Sequence, residues 1–175
     1  MIRERRWLSR EAILLSVGLG AVWLCGIGWG VPDGFAPNRI TQWGHELPVI
    51  APLHPRTRQR LAELGVLLGE RVRAIPPAGY VEFLQLHRNA ALVLTDSGGV
   101  QEEACALRVP CVILRETTER PEAVHVGAAR IAGVSSEQIL HATRELFGNR
   151  GSWQNPFGDG KAGERIAALV AGLAG

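Results

Sequence analysis

The sequence predicts an α/β fold built on a doubly wound parallel sheet, and three features predict it. From Pro48 onward, short apolar runs alternate with segments of helical periodicity. One of those runs, residues 91–94, is almost continuously apolar, as a strand covered on both faces must be. Hydrophobic residues make up 46% of 175, enough for one sizeable core and short of two complete domains.

The elements follow in order. Residues 49–51 form a short buried strand ending at Pro52. Residues 56–68 carry Leu61, Leu64 and Leu68 at helical spacing. A strand over 72–75 is closed by Pro76 and Pro77. The next helix, 80–89, places Tyr80, Phe83, Leu84 and Leu86 on an apolar face. After the strand at 91–94 come a helix over 98–107 and a strand over 111–114. A short helix, 121–126, has Pro121 in its first turn, where a missing N–H costs nothing. A weaker strand at 129–132 precedes a helix from Ser135 to Leu146, with Ile139, Leu140, Thr143 and Leu146 on one side. Its Ser135 and Gln138 have the spacing of a capping box. A last helix spans 162–173. Five strands alternating with helices in this way make a parallel sheet wound on both faces.

Composition removes several function classes. Lys and Arg number 19 against 17 Asp and Glu, and a net charge of +2 argues against a nucleic-acid partner. Cys25, Cys105 and Cys111 make no closed disulfide framework and show no CxxC or Cys/His ligand spacing. A reduced compartment, no metal site and no cofactor are therefore expected.

Residues 1–46 read differently from the rest. Positions 12–32 carry no charge and follow Arg3, Arg5, Arg6 and Arg10, which suits a membrane span or signal anchor. A poorly structured apolar arm and a displaced or frame-altered coding remnant are the other two readings. Turn formers between Asp33 and Glu46 make a linker, so the domain is expected to begin near Leu47 and run to residue 175.

In a doubly wound sheet, ligands bind beyond the carboxyl ends of the strands. The loop there that carries most chemistry is Thr95-Asp96-Ser97-Gly98-Gly99-Val100-Gln101-Glu102-Glu103. Adjacent glycines admit close backbone approach, and the helix start offers unpaired N–H groups and a partial positive charge. With the Ser97 hydroxyl this makes a phosphate site. Ser97 as a plain N-cap and the glycines as a tight turn is an even alternative. Glu103 lies one turn inside the helix; a carboxylate there would repel a diphosphate, so a functional role must be directed at hydroxyls such as those of a ribose, and a solvated helix glutamate is the alternative. Glu102 reads as a solvated helix residue. The next loop, residues 115–122, holds Arg115, Thr117, Thr118 and Arg120, which suit anionic oxygen, with a polar surface loop of similar composition as the alternative.

TDSGGVQEE at 95–103 followed by LRETTERPEAV at 114–124 resembles the non-hydrolysing UDP-N-acetylglucosamine 2-epimerases. The likeness extends to LHPRTRQRL at 53–61, GYVEFLQLHRNAALVL at 79–94 and NPFGDGKAGERI at 155–166. It implies the Rossmann-like, UDP-binding C-terminal half of a glycosyltransferase-B-type fold. It further implies that Ser97, Gly98 and Gly99 hold the diphosphate and that Glu103 takes the ribose hydroxyls. Phe83 would pack beside uracil, and Arg120 would reach the phosphate or sugar. His54 would face an interdomain cleft where bacterial members can hold a regulatory UDP-sugar; a structural role beside Pro55 is its alternative. Histidines 87, 125 and 141 read as surface or packing residues, and Cys105 and Cys111 as core thiols.

In the family, UDP is eliminated to give a 2-acetamidoglucal and added back on the opposite face. The carboxylates for that chemistry come from the N-terminal domain, and a His-Arg-x-Glu-Asn segment also belongs to the site; this sequence contains neither. The resemblance therefore implies a truncated chain that binds UDP or UDP-N-acetylglucosamine without catalysing, with a missing N-terminal domain as partner. A non-catalytic UDP-binding module and the UDP half of a related glycosyltransferase are the alternatives. The expected setting is cytoplasmic synthesis of precursors for cell-envelope polysaccharide, which disfavours membrane contact by residues 12–32.

Overall fold

The computed structural model of the chain describes residues 13–16, 48–65, 67–68, 72–151 and 153–173. In chain order the elements are β1 (Ile13–Ser16), β2 (Val49–Pro52), α1 (Pro55–Glu63), β3 (Val72–Ile75), α2 (Tyr80–Asn89), β4 (Leu92–Thr95), α3 (Gly98–Ala106), β5 (Cys111–Ile113), α4 (Pro121–His125), β6 (Ala129–Ile131), α5 (Ser136–Leu146) and α6 (Ala162–Leu173). The strands form one sheet in the order β3-β2-β1-β4-β5-β6, and every neighbouring pair is parallel. The doubly wound parallel fold is thus observed.

The core explains why the central strands are apolar throughout. Alternate residues point to opposite faces of a strand. Val93 joins a cluster with Ile50, Cys111, Ile113, Val100, Ala104, Ala123 and Trp153, while Leu92 and Leu94 join another with Val49, Ala51, Val112, Ala142 and Leu146. The first cluster takes side chains from α2, α3 and α4. The second takes them from α1 and α5. Both faces are therefore packed, and each residue of β4 is buried.

Several expectations need correction. Residues 13–16 lie within the charge-free run 12–32, yet they form β1 between β2 and β4, with Ile13 opposite both Val49 and Leu92. Among the described residues the sheet has six strands instead of five, and a boundary near Leu47 would leave one of its central strands outside. Residues 1–12 and 17–47 lie outside the described residues, as do the remaining readings of the head. Among the described residues, no helix is long and apolar enough to cross a membrane.

The helix expected over 56–68 stops at Glu63. Gly65, with φ +64°, donates its N–H to the Ala62 carbonyl at 3.0 Å and turns the chain out of the helix. Leu68 packs on the second cluster from outside it. On α2, Tyr80 is exposed and the core position is taken by His87.

The capping box expected at Ser135 does not close. Ser135 is the N-cap of α5 but its side chain makes no capping bond; its carbonyl accepts from Ile139 N–H at 2.9 Å. Such a return contact does occur at α2, where Glu82 Oε2 accepts from Gly79 N–H at 3.3 Å. Cys105 and Cys111 are buried free thiols, and burial pushes both up from the ordinary thiol range.

Candidate functional site

The strand order reverses at β1 and β4, and the crevice beyond their carboxyl ends is where a doubly wound sheet takes its ligand. Buried Thr95 ends β4, and its Oγ1 accepts from Ser97 N–H at 3.1 Å, which folds the chain sharply into α3. Ser97 is the N-cap of that helix, with extended backbone and a side chain that makes no capping bond. The Ser97 carbonyl accepts from Gln101 N–H at 3.1 Å. The N–H groups of Gly98, Gly99 and Val100 precede the first intrahelical donor, Gln101 N–H, so helix geometry leaves them without an intrahelical acceptor.

Neither glycine of this turn is required by the fold. Neither has positive φ. Among the described residues, a Cβ on Gly99 would meet nothing within 4 Å, and one on Gly98 would meet Glu119 Oε2 at 3.8 Å and Arg120 Cγ at 4.0 Å, ordinary contacts. A helix start without a side-chain cap and with two unnecessary glycines sacrifices stability.

The loop after β5 is fastened onto α3. Thr118 Oγ1 donates to Gln101 Oε1 at 2.6 Å and accepts from Arg120 N–H at 3.0 Å. Arg120 pairs through Nε with Glu102 Oε1 and donates Nη1–H to the Glu119 carbonyl at 3.0 Å. Its side chain therefore stands beside Gly98. Arg115 faces Glu119 in a two-point pair at 2.9 and 2.8 Å, which holds the Glu119 carboxyl below the ordinary carboxylate range. Glu102, expected as a solvated glutamate, is half-buried and serves as the carboxylate partner of Arg120. Buried Gln101, which had attracted no role, is the clamp between loop and helix.

Glu103 follows on α3 and is half-buried. Burial pushes its carboxyl up, and neighbouring Glu102 pushes it further. Its Oε2 lies 3.6 Å from Nδ1 of His87 on α2. His87 is wholly buried, which pushes its imidazole down to about 4 and keeps it neutral near pH 7. Phe83, one turn earlier on α2, stacks on the His87 ring at 4.3 Å between centroids, tilted by 53°. Phe83, His87 and Glu103 thus form a row across the α2–α3 contact. His125 and His141 are exposed.

The structure brings Ser97, Gly98, Gly99, Glu103 and Arg120 together around α3 and connects Phe83 to them through His87. His54 stands apart at the end of β2, beyond β1. It is exposed, and its Nδ1 accepts from Arg56 N–H at 3.3 Å as the N-cap of α1.

The family model described as UDP-N-acetylglucosamine 2-epimerase matches residues 36–171. The UDP-N-acetylglucosamine 2-epimerase of Methanocaldococcus jannaschii is 46% identical over 130 residues, covering 72% of this chain and 36% of that protein. The UDP-2,3-diacetamido-2,3-dideoxy-D-glucuronate 2-epimerase of Pseudomonas aeruginosa is 42% identical over 127 residues, covering 72% of this chain and 35% of that protein. Among solved structures, the Methanocaldococcus jannaschii UDP-GlcNAc 2-epimerase in complex with UDP-GlcNAc and UDP superposes with a TM-score of 0.75 at 36% identity, over 94% of this chain and 46% of that one. The chain thus spans well under half the length of the relatives it matches.

Proposed function

The chain belongs to the UDP-N-acetylglucosamine 2-epimerase family, and on that premise we propose that its α3 crevice binds the UDP moiety of a UDP-sugar as one wall of a 2-epimerase site. The observation that carries this reading is the start of α3. Ser97 is not spent as a cap, and Gly98 and Gly99 have neither positive φ nor crowded neighbours. A diphosphate gives all three a purpose. It accepts from the unpaired N–H groups, lies at the positive end of the helix dipole and needs the absence of Cβ atoms to approach. Arg120 flanks it, and Glu103 accepts from the ribose hydroxyls deeper along the helix.

The two curated relatives share UDP and differ in the sugar that their names give. This supports assigning UDP to the present crevice. N-acetylglucosamine is the sugar we propose, from the family itself.

In the epimerase reaction, the bond from the anomeric carbon to UDP breaks and re-forms. The α3 N–H groups and Arg120 would stabilise the diphosphate as it leaves with its negative charge, a contribution that grows toward the transition state. Proton removal and return at C2 need acid and base groups facing the sugar. We assign these to a facing N-terminal domain, so that this domain alone binds without turning over. A UDP-sugar substrate supports a cytoplasmic reaction in the supply of envelope polysaccharide precursors.

Calorimetric titration tests the reading. UDP should bind the chain saturably, and Glu103→Gln should weaken it about tenfold, which corresponds to ~1.4 kcal/mol. Unchanged affinity in that variant would remove Glu103 from the site. Incubation of the chain with UDP-N-acetylglucosamine should yield no manno epimer. Turnover at ordinary enzymatic rates would show that the facing domain is dispensable.

A further inference from the structure

Resting on the UDP assignment above, a second residue of α2 gains a role. His87 is fully buried, and among the described residues both its ring nitrogens and Glu103 Oε2 lack a hydrogen-bond partner although all three are shielded from water. Buried polar atoms without partners are uncommon, and three around one contact ask for an explanation. Nδ1 and Oε2 face each other at 3.6 Å, just beyond a hydrogen bond. The remainder of the Glu103 side chain is open, with 28% of it exposed. One carboxylate oxygen is therefore turned toward a histidine, while part of the side chain reaches solvent.

We propose that His87 is a positioning residue: its Nδ1–H closes onto Glu103 Oε2 and fixes the carboxylate so that its other oxygen meets the ribose hydroxyls. A glutamate has several rotatable bonds, and recognition of vicinal hydroxyls depends on their being held in one orientation. Only one tautomer serves. It places the proton on Nδ1 and leaves the bare Nε2 in the apolar surroundings. Phe83 packs against the ring at a tilt of 53°, which limits the rotation of the imidazole. Glu103 is the titratable group that faces the ring from α3, with Glu102 next to it along the chain.

Two measurements on the full chain decide this. Imidazole ¹⁵N NMR should show His87 as the Nδ1–H tautomer, with Glu103→Gln changing its nitrogen shifts; an Nε2–H tautomer would overturn the role. In binding, His87→Leu should reduce the preference for UDP over 2′-deoxy-UDP about fivefold. His87→Asn, whose amide nitrogen reaches the position of Nδ1, should restore it. A packing role alone would give no such rescue. If UDP binds and His87→Leu keeps the preference intact, the role of His87 falls alone. If the unaltered chain does not bind UDP, the nucleotide assignment falls and the positioning role falls with it.

Discussion

The double variant Gly98→Ala/Gly99→Ala should lose at least ~100-fold in UDP affinity while unfolding at the same temperature as the parent or a few degrees higher. Both halves follow from one geometry. Open space surrounds a Cβ at Gly99, and a Cβ at Gly98 meets its nearest neighbours at ordinary contact distance. With no positive φ at either position, alanine can adopt the native backbone. Replacing glycine under such conditions narrows the unfolded ensemble and stabilises by about 0.4–1 kcal/mol per site. A diphosphate, by contrast, must bring its oxygens within about 2.9 Å of the α3 N–H groups. Two added methyl groups at the helix start, one directed at Glu119 and Arg120, occupy the approach. Calorimetry and thermal unfolding on the same preparation separate the outcomes. Lower stability with lower affinity would make the glycines structural, and unchanged affinity would leave the turn with no ligand.

How much of this arrangement is legible in the sequence depends on the distance over which each contact acts. β4 and β5 are legible because strands buried on both faces are apolar at every position. α2 is legible to the residue, since Ala90 leaves the helix with extended backbone next to the apolar strand. β1 is not. Its four residues sit inside a longer charge-free run, and a central parallel strand has the same hydropathy as the start of a membrane segment. The leucine spacing past Glu63 imitates a helix, and only Gly65 signals the stop.

The site divides in the same way. Ser97, Gly98, Gly99 and Glu103 are contiguous on one loop and helix, so their pattern survives in the linear sequence. The Arg120–Glu102 pair and the Gln101–Thr118 clamp join segments separated in sequence by 18 and 17 positions, and composition alone gives no pairing. His87 is obscured by its own polarity, which suggests a surface position; its spacing of one helical turn from Phe83 was the available cue. His54 shows the reverse hazard, since its N-cap hydrogen bond needs no ligand to explain it.

Lowering the pH from 6.5 toward 4 should destabilise the domain by about 3 kcal/mol through His87 alone. The imidazole is wholly buried, and desolvation lowers its affinity for a proton from the ordinary 6.5 to about 4. In the unfolded chain the same group protonates near 6.5. Between those limits the unfolded state therefore binds more protons than the native state, and stability falls as pH falls. At about 1.4 kcal/mol per pH unit, a gap of roughly 2.5 sets a ceiling of ~3.5 kcal/mol, and half-titration at each end of the window brings it to about 3, a large fraction of the 5–15 kcal/mol typical of a domain. Glu103 acts in the opposite sense: its raised carboxyl binds a proton in the native state first, which offsets part of the loss. Glu63, Glu119 and Asp159 are held below their ordinary values by arginine partners, so their contributions vanish only at lower pH. The upper part of the window thus belongs to His87. Chemical denaturation at half-unit steps from pH 7 to 5 should show stability declining with pH, and His87→Leu should flatten that decline. A variant with the same slope as the parent would mean that the imidazole is hydrated in the native state and that the row from Phe83 to Glu103 is open to water.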